Sequence, residues 1–444
     1  MDRWIGRNSS VNNAEQLDDD REKRARFVSM FILFVVSTFN YVDRTIISIL
    51  QVPIKADLQL TDAHMGALTG LSFALFYTTF SLPIARLADR MNRRNIIAIS
   101  LFVWSGMTAL SGLARNFAML VGFRIGVALG EAGSIPATQS IIADYYPAHR
   151  RATALAIWGL SLPVGLMAGY GITGKLAEMF DWRTVFAIVG LAGVAFAPIV
   201  LLFTREPPRG RFDPPVLQEQ KEAGLLETLR ELAGMRVLRF LMIAAALHGF
   251  SQYSLMNWTV PFYVRLHDMA LGSVGMFMAV ASGIGGAIGM FCGGYFADRL
   301  GAHDERWRVW VIAVSFFGTV ITGLGQLLAG DLMLSLGFGF LAAIFQIAYY
   351  GPIVAVIQTL VTARQRAFAG ALLLLVFNIV GLGLGPFLTG ALSDYLAPGL
   401  GADSLRWALV ASLSFSGIAG CAYIWIGNAF RDRIEAIKVA ASAG

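Results

Sequence analysis

The sequence is poor in charged residues and in cysteine, and both shortages narrow the class of protein. Only 14% of its 444 residues are Asp, Glu, Lys or Arg, whereas 56% are hydrophobic. A soluble domain carries about 25% charged residues, so too few polar side chains are present here to cover a water-soluble globule. The two cysteines, Cys292 and Cys421, fall inside apolar stretches. We interpret them as small core residues rather than as a disulfide or a metal site.

The hydrophobic residues are arranged in long blocks. The hydrocarbon core of a bilayer is about 30 Å thick and needs about 20 apolar residues in a helix. Twelve blocks reach that length, and none alternates like the strands of a membrane barrel. We therefore predict an all-α integral membrane protein with twelve transmembrane helices, at residues 27–50, 64–88, 95–114, 117–143, 152–177, 184–204, 237–265, 272–297, 308–329, 332–361, 367–395 and 405–430.

The distribution of Lys and Arg predicts the orientation of these spans. With the N-terminus inside, 26 of the 35 basic residues fall in the inner tails and loops, and six fall in the outer loops. This asymmetry follows the positive-inside rule, so both termini are expected in the cytoplasm. The same asymmetry accounts for the net charge of +6, so no nucleic-acid partner is expected. The polar N-terminal segment has no apolar core of a cleavable signal peptide, and we expect a cytoplasmic tail there.

A polar segment divides the chain into two halves of six spans each. It begins with Arg205-Glu206-Pro207-Pro208, where the prolines stop a helix. The predicted domains are an N-terminal tail (1–25), a six-helix bundle (26–204), a cytoplasmic linker (205–236), a second six-helix bundle (237–430) and a C-terminal tail (431–444).

Short motifs in both halves resemble those of a known family. The loop after the second span contains Ala88-Asp89-Arg90, and the loop after the eighth repeats it as Ala297-Asp298-Arg299. These loops resemble the signature of the major facilitator superfamily, although Ala85 and Asn92 replace its usual glycines. The chain is also similar to spinster-like transporters, in the motifs Asn40-Tyr41-Val42-Asp43-Arg44, Gly130-Glu131-Ala132, Ile142-Ala143-Asp144-Tyr145-Tyr146-Pro147 and Arg205-Glu206-Pro207-Pro208. The resemblance implies two pseudo-symmetric bundles around a cavity lined by spans 1, 4, 7 and 10.

Ionisable residues inside the predicted spans are the main candidates for function. Each costs at least about 2.5–3.5 kcal/mol in a membrane unless it has a partner or faces water. Span 1 carries Asp43 and Arg44. Span 4 carries Arg124 and Glu131, whose spacing of seven residues places both on one helix face. The resemblance implies that Asp43 accepts a coupling proton, with Glu131 and Arg124 as its partners. The alternative is a fixed ion pair that only joins two helices.

The same region is predicted to bind the substrate. Arg44 and Arg124 can hold an anionic group such as a phosphate or a carboxylate. We add the polar residues Tyr41, Asn257 and Tyr350 to this predicted substrate site. Hydrogen bonding between helices is the alternative role for such residues.

Charged residues at the inner ends of the spans are predicted to form a gate. By resemblance, the loop after span 2 closes against span 11 with an arginine after span 4, and a pseudo-symmetric cluster closes the other side. Such ion pairs would hold the inner gate shut in the outward-open state; alternatively, the charges only set the topology. The predicted gating residues are Asp89, Arg90, Arg150, Arg151, Asp298, Arg299 and Arg366.

The sequence thus predicts a secondary transporter that works by alternating access. The proton is the expected coupling ion, and neither a cofactor nor a metal is expected. The expected partners are the lipid bilayer and a lipid-like, amphipathic substrate, for a monomer in a bacterial inner membrane. The alternatives are an organic-anion symporter, a multidrug exporter and a non-transporting membrane sensor.

Overall fold

The structure is a computed structural model that describes the backbone of residues 2–212, 225–362 and 365–442. Side chains are described within these ranges except at 2–21, 82, 85–90, 225–227, 367, 437–438 and 440–442. Helices account for nearly all of the described chain, and no strand occurs in it.

The first half contains nine helices that make six spans. A π-helical turn (Ala67–Leu71) joins α2 to α3 into one span, and the pairs α5–α6 and α7–α8 each form another. The helices are α1 (Asp2–Asp57), α2 (Asp62–Gly66), α3 (Ser72–Arg90), α4 (Arg93–Ser111), α5 (Phe117–Glu131), α6 (Ser134–Tyr145), α7 (Ala148–Gly159), α8 (Ser161–Met179) and α9 (Trp182–Phe203).

The second half repeats this plan after a short linker helix, α10 (Leu225–Gly234). Two π-helical segments, Ala281–Gly285 and Phe377–Leu384, join the parts of spans 8 and 11. The helices are α11 (Arg236–Leu266), α12 (Leu271–Val280), α13 (Gly286–Gly301), α14 (Arg306–Leu328), α15 (Leu332–Ala348), α16 (Tyr350–Leu360), α17 (Arg366–Val376), α18 (Gly385–Leu400) and α19 (Ser404–Ser442), with a 3₁₀ turn (Gly401–Asp403) before α19.

Polar caps fix the starts of four spans. The side chain of Asn116 accepts a hydrogen bond from the backbone N–H of Met119 at 2.9 Å, which satisfies a donor that the first helical turn leaves unpaired. Asn92, Asp181 and Asp331 cap α4, α9 and α15 in the same way. Each of these spans begins within two residues of its predicted start.

The first and last helices are longer than predicted. α1 begins at Asp2 and α19 ends at Ser442, so both continue into the segments expected to be tails. Hydropathy detects only the part of a helix that crosses the membrane, and Glu, Lys, Arg and Ala support a helix in water equally well. Within the linker predicted at 205–236, residues 213–224 lie outside the described part of the chain.

The two halves have the same internal arrangement. In the first half α4 packs on α9 and α5, and α1 packs on α8 and α9. In the second half α14 packs on α19 and α15, and α11 packs on α19 and on α18 with its preceding π-helical segment. The predicted pair of pseudo-symmetric six-helix bundles is confirmed. By length and composition alone, eight stretches of the described chain could cross a membrane, and a ninth is added if a bent pair of helices counts as one span. One of the eight, Phe368–Ala436, contains parts of two spans.

The bundles are packed together mainly at the end remote from the chain termini, which we call the closed end. There α2 packs on α18, α8 on α12, and α1 on α11. A Cβ atom at Gly66 would lie 2.3 Å from the carbonyl oxygen of Pro386, and one at Gly174 would lie 3.0 Å from Gly275. A side chain at position 66 would push the halves apart, and one at position 174 would need its neighbours to shift by a few tenths of an ångström, so small residues allow this close approach.

The opposite, terminal end has a different pattern of packing. The helices that reach it, α6 and α7 in the first half and α16 and α17 in the second, make their main contacts within their own bundles. The space between the bundles therefore opens toward the terminal end.

Candidate functional site

The four ionisable residues predicted in spans 1 and 4 meet between α1 and α5. Asp43 and Arg44 are neighbours in α1 and point about 100° apart. Asp43 Oδ2 lies 3.4 Å from a terminal nitrogen of Arg124. Arg44 Nε donates to Glu131 Oε2 at 3.0 Å. The structure thus brings the four residues together as two adjacent ion pairs between the same two helices.

The two ion pairs differ in their access to solvent. Asp43, Arg124 and Glu131 are each less than 5% exposed. The side chain of Arg44 keeps 23% of its surface exposed. Arg44 is therefore the charged group of this site that a molecule in the cavity can reach first.

Aromatic rings of α3 cover both guanidinium groups. Phe73 lies 4.7 Å from the Arg124 guanidinium and 5.1 Å from that of Arg44. Tyr77 lies 5.1 Å from Arg44 on the next helical turn. Contacts of a cation with a ring face contribute about 0.5–2 kcal/mol each. Sequence reasoning missed Phe73 and Tyr77, because an aromatic pair four residues apart is ordinary in an apolar span.

Tyrosine side chains from both halves lie near Arg44. The Arg44 guanidinium lies 6.0 Å from the ring of Tyr41. Tyr77, Tyr253 and Tyr350 are close enough to Tyr41 to interact with it electrostatically, and Tyr350 is 40% exposed. The predicted residues Tyr41 and Tyr350 therefore lie near the ion pairs. Their part in binding substrate stays a prediction.

Asn257 lies in a different setting from the other predicted substrate residues. Its side-chain oxygen accepts from Ser48 at 3.3 Å, and its backbone carbonyl accepts from Gln51 at 2.8 Å. Both donors belong to α1, whereas Asn257 belongs to α11. In this conformation Asn257 joins the two bundles, and its predicted contact with a substrate is not tested.

A fifth residue, Thr108 on α4, completes the surroundings of Asp43. Its hydroxyl group forms a short hydrogen bond with Asp43 Oδ1 and also lies 3.0 Å from the carbonyl oxygen of Trp104. Sequence reasoning missed Thr108 because a threonine inside a span usually bonds only to its own helix.

An ion-pair cluster joins the bundles at the closed end. Both oxygens of Asp62 accept hydrogen bonds from Arg265, at 2.7 and 2.9 Å, and one also accepts from Lys55. The carboxylate of Asp394 accepts from the backbone N–H groups of Asp62 and Ala63, at 2.9 and 2.7 Å. Because Arg265 and Asp394 belong to the second half and Asp62 to the first, these bonds hold the closed end together.

A buried arginine joins the linker to the first half at the terminal end. Arg93 is 2% exposed and contacts both Asp144 and Glu206, the latter at 2.7 Å. It also donates to the carbonyl oxygen of Pro207 at 2.9 Å. Asp144 in turn accepts from the backbone N–H of Gly210 at 3.0 Å. Asp144 and Glu206 stood out in the sequence only as members of family-like motifs, and their pairing with Arg93 was not predicted.

The predicted gating residues lie at the terminal end, away from the contacts between the bundles. Arg150, Asp298, Arg299 and Arg366 are exposed, and Arg151 is half-buried. Arg366 donates to the carbonyl oxygen of Gln358 in its own half, at 3.3 Å. The side chains of Asp89 and Arg90 lie outside the described part of the chain. The predicted gate belongs to the conformation in which this end is shut, so it stays a prediction.

Comparisons with known proteins agree with this architecture. Residues 33–314 match the family model of the Major Facilitator Superfamily. An MFS-type efflux pump of Mycolicibacterium smegmatis is 34% identical, over 94% of this chain and 96% of its own. A probable L-galactonate transporter of Escherichia coli is 24% identical, over 91% of this chain and 90% of its own.

A solved structure supports the spinster-like resemblance. It is a bacterial homologue of the human lysosomal transporter Spinster in an inward-facing and unoccupied conformation, with a TM-score of 0.85 and 30% identity over 92% of this chain and 98% of that chain. The resemblance to spinster-like transporters that the sequence motifs predicted is confirmed. The chain belongs to the major facilitator superfamily, as a multi-pass membrane transporter similar to spinster homologues and not an enzyme.

Proposed function

We propose that this protein is a proton-coupled secondary transporter that moves an amphipathic, anionic substrate by alternating access. The observation that carries the proposal is the pair of adjacent ion pairs between α1 and α5, of which only the Arg44 side chain is substantially exposed. Buried charges of this kind are costly in a membrane protein, which supports a functional role for them.

Competition for Arg44 supplies the coupling between substrate and proton. Arg44 holds Glu131 through two of its nitrogens, each 3.0 Å from Glu131 Oε2. A phosphate or carboxylate that binds Arg44 draws it away, and Glu131 is then a buried carboxylate without its cation. Such a group takes up a proton, since ionisation in an apolar site is unfavourable. Asp43 can respond in the same way when Arg124 moves.

The walls of the cavity suit a substrate with both an anionic and an apolar part. Arg44 offers a bidentate anion-binding group, and Phe73 and Tyr77 lie over it. Tyr350, which is 40% exposed, provides aromatic surface from the second half. Together with the spinster-like resemblance, this arrangement favours a lipid-like substrate such as a lysophospholipid.

The orientation follows from the distribution of basic residues. The bias of Lys and Arg toward the termini and the loops on their side supports termini that lie in the cytoplasm. The closed end then faces away from the cytoplasm, and the conformation is inward-open. We place the protein, as a monomer, in a bacterial inner membrane.

Efflux of amphipathic compounds is a second candidate function. It is favoured by the 34% identity over almost the whole chain to a protein named as an efflux pump. The same ion pairs would serve a proton antiporter if the cargo bound to the carboxylate of Asp43 or Glu131 instead of to Arg44, because cargo and proton would then compete for the same group.

Reconstituted protein distinguishes these functions by the cargo that it moves. Liposomes are loaded with a fluorescent lysophospholipid with an anionic headgroup, its zwitterionic counterpart, a lipophilic cation or glucuronate, and flux is followed with and without a pH gradient. We expect the anionic lysophospholipid to move several times faster than the zwitterionic one, at a rate that changes when the gradient is imposed. Arg44→Ala should abolish this preference, whereas Arg94→Ala, at an arginine whose side chain bonds to its neighbour Asn95, should keep it.

Other results of this measurement would exclude the proposal. Gradient-driven flux of the lipophilic cation alone favours a multidrug exporter, and flux of glucuronate alone favours an organic-anion symporter. Flux of none of these probes, at any gradient, contradicts the proposed function.

A further inference from the structure

The hydroxyl group of Thr108 contacts two oxygen atoms, both of which can only accept hydrogen bonds while Asp43 is ionised. One is the carbonyl oxygen of Trp104, at 3.0 Å, and the other is Asp43 Oδ1. Thr108 and Asp43 are 2% and 3% exposed. A threonine hydroxyl has one proton to donate. It therefore cannot donate to both oxygens at once.

Both contacts are satisfied when Asp43 carries a proton on Oδ1. Asp43 then donates to the hydroxyl oxygen of Thr108, and Thr108 donates to Trp104. When Asp43 is ionised, Thr108 must turn its proton toward Oδ1, and the Trp104 carbonyl keeps only its helical partner. The hydroxyl group thus has one orientation for each protonation state of the carboxyl group.

The other groups that face Asp43 leave Oδ1 as the favoured position for the proton. Arg124 on α5 lies 3.4 Å from Oδ2 and can only donate. Glu131 on α5 and Arg44 on α1 interact with Asp43 through their charges. From α4, the group that bonds to Asp43 is Thr108. Oδ1 is therefore the oxygen whose neighbour can accept a hydrogen bond.

We propose that Thr108 is a positioning residue for the coupling proton, donating to Oδ1 of ionised Asp43 and accepting from Oδ1 once that atom is protonated. The inference rests on the proposed function, because it takes Asp43 as the proton acceptor. In the uptake step, a hydronium ion gives a proton to Oδ1: one O–H bond of the hydronium ion breaks as the O–H bond at Oδ1 forms, a water molecule is released, and the Thr108 hydroxyl rotates toward Trp104.

Removing the hydroxyl group of Thr108 should change the pH at which Asp43 takes up its proton. Thr108→Val keeps the branched shape but withdraws a hydrogen bond that is stronger to a carboxylate than to a neutral carboxyl group. We expect the midpoint of the pH dependence of transport to rise by about one pH unit. Thr108→Ser should restore the wild-type midpoint. The control is Thr319→Val on α14, because Thr319 is fully buried and its hydroxyl bonds to Ser315 of its own helix.

Two readouts separate this inference from the proposed function. The first is the pH profile of lysophospholipid flux in liposomes. The second is the infrared carbonyl band of the protonated Asp43 side chain, titrated as the difference between each protein and its Asp43→Asn variant. A raised infrared midpoint in Thr108→Val supports the role of Thr108 even if flux proves independent of pH, which would contradict only the coupling.

Four results would overturn the inference. The first three are an unchanged infrared midpoint in Thr108→Val, an equal shift in Thr319→Val, and a carboxyl group of Asp43 that does not titrate over the accessible pH range. The fourth is a shift that Thr108→Ser fails to reverse, because the proposed role belongs to the hydroxyl group and not to the side-chain shape.

Discussion

Replacing Asp43 by asparagine is expected to abolish transport driven by a pH gradient. The asparagine side chain has nearly the same shape, and its one oxygen can still accept a hydrogen bond from Thr108 or from Arg124, but it cannot bind a proton as the Oδ1 atom of aspartate does. Proton-driven flux should fall to the level of protein-free liposomes, whereas exchange of substrate without a gradient should continue. The measurement is flux of labelled lysophospholipid in liposomes, with and without the gradient.

The matched control for this variant lies on the same helix. Asp57→Asn removes a carboxylate from the closed end of α1, where the side chain of Asp57 is 43% exposed and pairs with Arg183 at 2.7 Å. Exposed pairs of this kind contribute little, so gradient-driven flux should be almost unchanged. If Asp43→Asn kept the pH dependence of the wild type, Asp43 would have no part in coupling and a fixed ion pair would be the correct interpretation.

Among the substitutions proposed for this protein, replacing Arg93 is expected to cause the largest loss of stability. Arg93→Met leaves Asp144 and Glu206 without their shared cation, and breaking a buried ion pair by removing one partner costs roughly 3–5 kcal/mol. The apparent melting temperature in detergent should therefore fall by several degrees. Arg94→Met is the control, because the side chain of this neighbour bonds to the adjacent Asn95, at 3.4 Å, and not to Asp144 or Glu206.

A combined variant tests whether the loss comes from the unpaired carboxylates. Adding Asp144→Asn and Glu206→Gln to Arg93→Met removes the two uncompensated charges, so part of the lost stability should return. Non-additive effects of this kind are expected for residues in direct contact. Equal melting temperatures for Arg93→Met and Arg94→Met would show that the cluster does not fix the linker to the first half.

The spans could be predicted because membrane helices leave a strong local signal. Each apolar block is long enough to cross a bilayer, and residues such as Asn116 and Asp331 mark where a helix starts. The polar beginning of α1 gave no such signal. The π-helical segments, such as Ala281–Gly285, also escaped prediction, since glycine in an apolar helix is explained equally well by close packing.

The candidate site was predictable only where a residue was unusual for its surroundings. Asp43 and Glu131 were recognised because a carboxylate inside an apolar block is energetically costly unless it has a partner or a functional role. Thr108 contacts Asp43, and Phe73 contacts the two arginines that pair with the carboxylates, but both belong to residue types that are common in spans. The partners of Arg93 lie far away in sequence, and no local pattern shows that the linker folds back onto α4.

The closed-end cluster also could not be predicted from local sequence patterns. Arg265 was counted only as one of the few basic residues in the outer loops, and Asp62 was not singled out. Their contact depends on how the two bundles meet, which no feature within either half determines.

Proton movement that accompanies substrate flux tests the central claim most directly. Liposomes containing the wild-type protein and an entrapped pH indicator are given anionic lysophospholipid without any imposed gradient. Coupling through Asp43 and Glu131 predicts a change of internal pH, of either sign, that scales with the amount of substrate moved and is absent in Asp43→Asn. Substrate that crosses the membrane at full rate while the internal pH stays constant would contradict the account.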